Sequence, residues 1–188
     1  MISPEFVLDQ SIAYYPEDRL AQGPGAFIAV QPPDWVRKEL QVEGGESADK
    51  LHYTLAFIPD ASNITLDQLV KIVLPEMENW INTTQATGVI DGYGLFVNPR
   101  STILYAKLVG DDIYTLEASI KQRLVEHNLI SPSRNSAFSF VPHMTLFDLP
   151  LKSKTEWQFP PQREFEFWFD TLIIGKGAEW RSIQFVPA

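Results

Sequence analysis

Leu51-His52-Tyr53-Thr54-Leu55-Ala56-Phe57 and Pro142-His143-Met144-Thr145-Leu146-Phe147 share one pattern: His, any residue, Thr, Leu. The chain has 3 histidines in 188 residues, and two of them sit in this pattern, in opposite halves. The first stretch alternates as a strand over 51–58. That alternation predicts Leu51, Tyr53, Leu55 and Phe57 on one face, and His52, Thr54 and Ala56 on the other. Residues i and i+2 of a strand share a face about 7 Å apart, so His52 points with Thr54 and His143 with Thr145. One such tripeptide is easily met by chance. Two, each followed by Leu in an apolar strand context, argue for one site assembled from both halves.

That set of side chains suits phosphodiester chemistry. A neutral imidazole takes a proton from an attacking hydroxyl or water, and a protonated one gives a proton to the leaving oxygen. Histidine does both because its ordinary pKa of about 6.5 lies near working pH. Threonine hydroxyls donate hydrogen bonds to the non-bridging oxygens. No cofactor and no metal is called for: the chain contains no His-x-x-x-His and no Asp-rich cluster at metal-site spacing. The third histidine, in Val125-Glu126-His127-Asn128, falls near a predicted helix end, where a cation suits the helix dipole.

The two motif strands sit in a wider pattern. Residues 1–24, broken by Pro4, Pro16, Gly23 and Pro24, read as an irregular arm. Its only aromatic cluster is Tyr14-Tyr15, a candidate lid. Ala26 to Val30 reads as a short strand stopped by Pro32-Pro33, after which Asp34 caps a helix to about Leu40. Thr65 opens a helical pattern with Leu66, Leu69, Val70 and Val73 apolar. Pro75 is expected to kink or end it, with Met77, Trp80 and Ile81 continuing beyond. Strands at 87–97 and 101–109 flank a turn at Asn98-Pro99-Arg100. Asp111 to His127 reads as an amphipathic helix with Ile113, Leu116, Ile120 and Leu124 apolar. A polar loop from Ser131 to Ser136 leads to the second motif. Strands at about 164–174 and 178–186 finish the chain. The expected architecture is one α+β domain over 25–188, with each half giving one motif strand and one long helix.

Composition narrows the partners. With 45% hydrophobic residues the chain buries a sizeable core. Its net charge of -9 argues against duplex DNA or long RNA, whose binding rests on many cations facing phosphates, and leaves room for a small anionic ligand. There is no cysteine, hence no disulfide and no thiol nucleophile, which fits a reducing cytoplasm. Nothing at the start reads as a signal peptide, and no apolar run approaches the roughly 18 residues that span a bilayer. The composition does not speak to oligomeric state.

The paired His52-Tyr53-Thr54-Leu55 and His143-Met144-Thr145-Leu146 resemble the signature of the 2H phosphoesterase superfamily, which includes 2′-5′ RNA ligase-like proteins and cyclic phosphodiesterases. The resemblance spans about Gly25 to Phe185. The run from Gly44-Gly45-Glu46 to His52, together with Phe140-Val141-Pro142-His143, looks most like the subgroup encoded in phage genomes. The resemblance implies a bilobal fold of two pseudo-symmetric antiparallel sheets around a central groove, with helices outside. It implies His52 and His143 as the acid/base pair and Thr54 and Thr145 as phosphate holders. It also implies a metal-independent reaction on 2′,3′-cyclic, 2′-5′ or cyclic-nucleotide phosphodiesters, with bacterial cyclic oligonucleotide immune signals among the candidates. Which histidine acts as base stays open.

Aromatic faces bind bases, so Phe147, on the expected face of His143 and Thr145, is a candidate substrate contact, with Tyr14, Tyr15, Tyr93 and Phe96. Trp168 and Trp180 are expected to pack. Arg100 and Lys107 are the cations that could face a phosphate. The alternatives are a nucleotide-binding module without turnover and an RNA end ligase.

Overall fold

The computed structural model describes residues 23–84, 86–97, 101–132, 140–150 and 164–185. The expected arm, with Tyr14 and Tyr15, lies outside them except for Gly23 and Pro24. Arg100 and most of the 131–136 loop also lie outside them.

Strand β1 is Ala26–Gln31, stopped by the two prolines as expected. Helix α1 follows at Asp34–Leu40 and buries Val36 and Leu40. Its N-cap is Pro33, not Asp34. Asp34 occupies the first helical turn and pairs with Lys38 one turn on, because Pro33 already holds the extended backbone of a cap. A single 3₁₀ turn at Ala48–Lys50 leads into β2, Tyr53–Ile58. Helix α2 runs Leu66–Thr83. A capping box fixes its start: the Thr65 hydroxyl accepts from the Gln68 amide, and the Gln68 side chain accepts from the Thr65 amide. The helix runs through Pro75, which does not end it, to bury Met77 and Trp80.

Strands β3 (Thr87–Val97) and β4 (Ser101–Val109) match their expected spans, and α3 is Asp111–Glu126. His127 is the C-cap residue of α3. The Trp80 indole N–H donates to the Asp112 carbonyl and ties α2 to the start of α3. The second motif strand is β5, His143–Pro150. The stretch expected as one strand at 164–174 is two, β6 (Glu164–Trp168) and β7 (Thr171–Lys176), and β8 is Glu179–Gln184. The break has a physical cause: β6 pairs with β3, while β7 pairs with β1 on the other side of the molecule. The positions that join the helix-side core change phase there, from Phe167 and Phe169 to Leu172 and Ile174.

Among the described residues the eight strands are antiparallel neighbours in one sheet of order β6-β3-β4-β5-β2-β1-β7-β8. The two expected sheets are thus two four-strand halves of a single sheet. They join where Tyr53 on β2 faces Met144 on β5, the one pair linking these strands. One face of the sheet packs on α2 and α3. Ile28, Val30, Tyr53, Ala106, Met144, Leu172 and Ile174 share a core cluster there with Leu69, Val73, Leu116 and Ile120. Ala29, Phe96, Tyr105 and Ile173 are also buried but stand outside that cluster, on the opposite face.

Candidate active site

The junction of the halves sets the geometry of the motifs. Tyr53 faces Met144. Continued by one residue on either side, this antiparallel register sets His52 opposite Thr145 and Thr54 opposite His143. The four side chains stand at the corners of a square on the face away from the helices. Edges across the strands are about 5 Å, and the two histidines occupy one diagonal of about 7–8 Å. All four are half-buried.

Each motif carries a β-bulge at its leucine. Between β1 and β2 the register shifts as Ile28 faces Ala56 and Ala29 faces Thr54, leaving Leu55 unopposed. Between β4 and β5 it shifts as Leu104 faces Phe147 and Tyr105 faces Thr145, leaving Leu146 unopposed. A bulge inserts one residue and reverses the facing of everything beyond it. Two expectations fall for this reason. Phe57 is 45% exposed and pairs with Phe27, not with the core, while Ala56 is buried among core residues. Phe147 does not share the face of His143 and Thr145. It lies opposite Leu104, packs against the core cluster, and its ring abuts the Gly44-Gly45 turn.

That turn ties the halves together. The Glu46 amide donates to the Leu146 carbonyl at 2.9 Å, so the loop before the first motif rests on the bulge of the second. Gly44 has φ +75, and a Cβ at Gly45 would strike the Leu146 carbonyl, so both positions need glycine.

The histidines are anchored alike. His52 Nδ1 lies 2.6 Å from the Lys50 carbonyl, and His143 Nδ1 lies 2.7 Å from the Val141 carbonyl, each two residues back. A carbonyl only accepts, so Nδ1 carries the proton in both rings. Nε2 is left as the atom that takes or gives one. Burial lowers the pKa of both. For His52 the carbonyl contact and the Glu46 carboxylate oppose that shift; for His143 the Val141 carbonyl opposes it and the charge of His52 adds to it.

Gln31 supports His52 from below. It is buried, and its amide donates to the Asp49 carbonyl at 2.9 Å and the Leu51 carbonyl at 3.0 Å. Arg37 donates to the Ala48 carbonyl at 2.9 Å. Together they hold the 3₁₀ turn whose Lys50 carbonyl anchors the imidazole. Sequence reading missed Gln31. Its signal is a lone amide on the non-core face of an apolar strand.

Aromatic rings surround both histidines. Phe27 stacks on His52 at 5.3 Å, and Trp180 meets His52 edge-on at 6.2 Å. Phe96 and Tyr105 meet His143 edge-on at 4.8 and 5.5 Å. Of the candidate base contacts, Phe96 therefore lies at the site. Tyr93 does not: it pairs with Ala106, on the helix-packed face, and joins the core cluster. Trp168 and Trp180, expected to pack, are 58% and 46% exposed on the two edge strands. Lys107 faces His143 across the strands, its ammonium 3.6 Å from Asp91. Among the described residues no three His, Asp or Glu side chains gather as a metal site, and no helix is long and apolar enough to cross a membrane.

No protein-family model matches the chain, and no curated protein sequence matches it. Solved structures do: the fold is that of the LigT-like 2H phosphoesterases. E. coli LigT complexed with 3'-AMP superposes with TM-score 0.55 at 19% identity, over 87% of this chain and 96% of that one. A crystal structure of a phosphoesterase gives TM-score 0.52 at 17% identity, over 87% and 96%. TT0787 of Thermus thermophilus gives 0.51 at 18%, over 86% and 95%.

Proposed function

We propose that the chain is a phosphodiesterase that cleaves a small nucleotide phosphodiester with His52 and His143 as its acid/base pair. The observation that carries this reading is the diagonal pair of imidazoles, each held by Nδ1 on a backbone carbonyl with Nε2 left for proton transfer. The square accommodates one phosphate between two proton-transfer groups and two hydroxyls.

The reaction balances on these groups alone. Water attacks phosphorus as one neutral imidazole takes its proton at Nε2. The other imidazolium gives its Nε2 proton to the departing oxygen as the P–O bond breaks, leaving a monoester and an alcohol. Thr54 and Thr145 donate to the non-bridging oxygens, where charge builds. The net charge of -9 favours a small nucleotide over long RNA. LigT, which shares the fold, has been crystallised with 3'-AMP and with NADP+. The class covers 2′,3′-cyclic and 2′-5′ linkages and cyclic mono- and oligonucleotides, including those that serve as bacterial immune signals.

The test is hydrolysis of a panel of cyclic and 2′-5′-linked nucleotides in EDTA by the native chain, His52→Ala and His143→Ala. Turnover by the native chain, abolished in both variants, is expected. Turnover that survives either substitution removes that histidine from the mechanism. Affinity without any product supports a binding module instead, and joining of RNA ends supports a ligase.

A further inference from the structure

Beyond the histidine pair, the two sides of the site differ in where an aromatic ring can be received. On the His143 side, Phe96 and Tyr105 are buried and stacked on each other at 4.1 Å, and both already press on the imidazole. On the His52 side the rings are open. Phe57, Phe27, Gly175 and Trp180 form one cross-strand row over β2, β1, β7 and β8, on the face that carries His52. Gly175 makes the row possible: a Cβ there would collide with the Phe27 ring, which lies across β7. The Trp180 indole meets Phe27 edge-on at 5.1 Å and also reaches His52, yet stays 46% exposed. A large indole held edge-on by Phe27 and His52, with nearly half its surface in water, is a platform on which a planar ring can stack.

We infer that Trp180, backed by Phe27, is a nucleobase subsite on the His52 side of the groove, and that it orients the substrate. This rests on the phosphodiesterase reading and adds a direction to it. A pseudo-symmetric square of His and Thr has no preferred orientation for a phosphate. A base platform on one side alone supplies it, placing the nucleoside toward His52 and the rest of the diester toward His143. Every base has a π-face, so the subsite selects for a base without choosing strongly among bases.

The probe is 3′-AMP, which has no diester to cleave, titrated calorimetrically into the native chain, Trp180→Ala, Trp180→Phe and Trp168→Ala, with circular dichroism to confirm folding. Loss of one stacked base corresponds to roughly five-fold or greater weakening. Trp180→Ala is expected to weaken binding by about that factor or more, and Trp180→Phe to restore most of it. Trp168→Ala, at a tryptophan still more exposed on the opposite edge strand, leaves binding unchanged. A folded Trp180→Ala that binds like the native chain overturns the subsite, as does a native chain that does not bind 3′-AMP. Binding that depends on Trp180 without turnover of any diester keeps the subsite and removes the catalytic reading. Turnover that ignores Trp180→Ala does the reverse.

Discussion

The half of the sheet built on β2 and the half built on β5 agree in backbone and differ in bulk. Both place His and Thr on one face, both bulge at the leucine that follows, and both anchor the imidazole on a carbonyl two residues back. Opposite Thr54 stands Ala29, with Ile173 beyond it; opposite Thr145 stands Tyr105, with Gly94 beyond it. The small and large residues have exchanged strands. Beside His143 that exchange packs the face shut with Tyr105 and Phe96, while beside His52 the rings lie further out and stay accessible. On the proposed reading, the features held in common are those proton transfer needs, and the features that differ would meet the remainder of the ligand.

The largest expected effect tests what the halves share. If both histidines transfer protons, His52→Ala and His143→Ala each lower kcat by about 10²- to 10⁴-fold. The double variant falls little below the worse single one, because the pair acts as a unit. Steady-state kinetics on the best diester of the panel decides this. A large loss for one and a small loss for the other would mean that only one half does chemistry.

A smaller effect tests how each half supports its histidine. Gln31 takes the register position facing His52 that Lys107 takes facing His143, but Gln31 is buried with two carbonyl partners, whereas Lys107 is exposed. Gln31→Leu strands two carbonyls and costs about 1–3 kcal/mol. Lys107→Ala stays within about 0.5 kcal/mol, as exposed substitutions do. Thermal unfolding compares them, at about 2–4 °C per kcal/mol for a chain of this size. Equal shifts would show that the β2 half has no buried clamp of its own.

The pH dependence separates the halves more finely. On the proposed mechanism turnover needs one imidazole neutral and one protonated, and both pKa values lie below the ordinary 6.5. The profile of kcat/KM is therefore a bell with its optimum below about 6.5, falling as pH rises toward that value because the proton donor is lost. Glu46→Gln removes the carboxylate that favours the charged form of His52, so the limb belonging to His52 moves to lower pH. Stability depends on the same lowered pKa values but changes in the opposite direction. Each folded imidazole resists a proton that the unfolded chain accepts. Stability is full above about pH 6.5, falls below it, and levels off once the folded rings are also protonated. A profile that rises steadily to alkaline pH would contradict the pairing.

The local patterns were legible because their causes are local. The helix start at Thr65, the strand at 101–109 and the apolar stripe of α3 each depend on neighbours in sequence. The facing of His52, Thr54, His143 and Thr145 was legible because these residues precede the bulges. Phe57 and Phe147 follow them, and a bulge is a property of two strands: nothing in HYTLAF says that Ile28 and Ala29 pair across a gap. Trp180 defeats a sequence reading for a related reason. Its environment is set by Gly175, Phe27 and His52, which adjoin it only once β8, β7, β1 and β2 are in order. The break at Phe169-Asp170 did leave a trace: the apolar alternation of Phe165, Phe167 and Phe169 stops at Asp170-Thr171 before the run Leu172-Ile173-Ile174, which a single strand over 164–174 overlooks.

The smallest effect lies under the site, at the one pair that joins the halves. Tyr53 and Met144 are both fully buried on the helix-packed side. Met144 asks for no hydrogen bond. The Tyr53 hydroxyl finds no hydrogen-bond partner among the described residues, and burial pushes its pKa well above 10.0. Its ring meets Phe169 edge-on at 5.8 Å, and a phenylalanine would keep that contact. Tyr53→Phe removes an unsatisfied buried donor at little loss of packing. It is expected to leave stability unchanged or raise it by about 1 kcal/mol or less. Activity stays at the native level, because the hydroxyl is on the far side of the sheet from the histidines. A drop of several degrees in Tm would mean that a buried water satisfies this hydroxyl, and that the seam between the halves is polar on the β2 side as well as uneven in bulk.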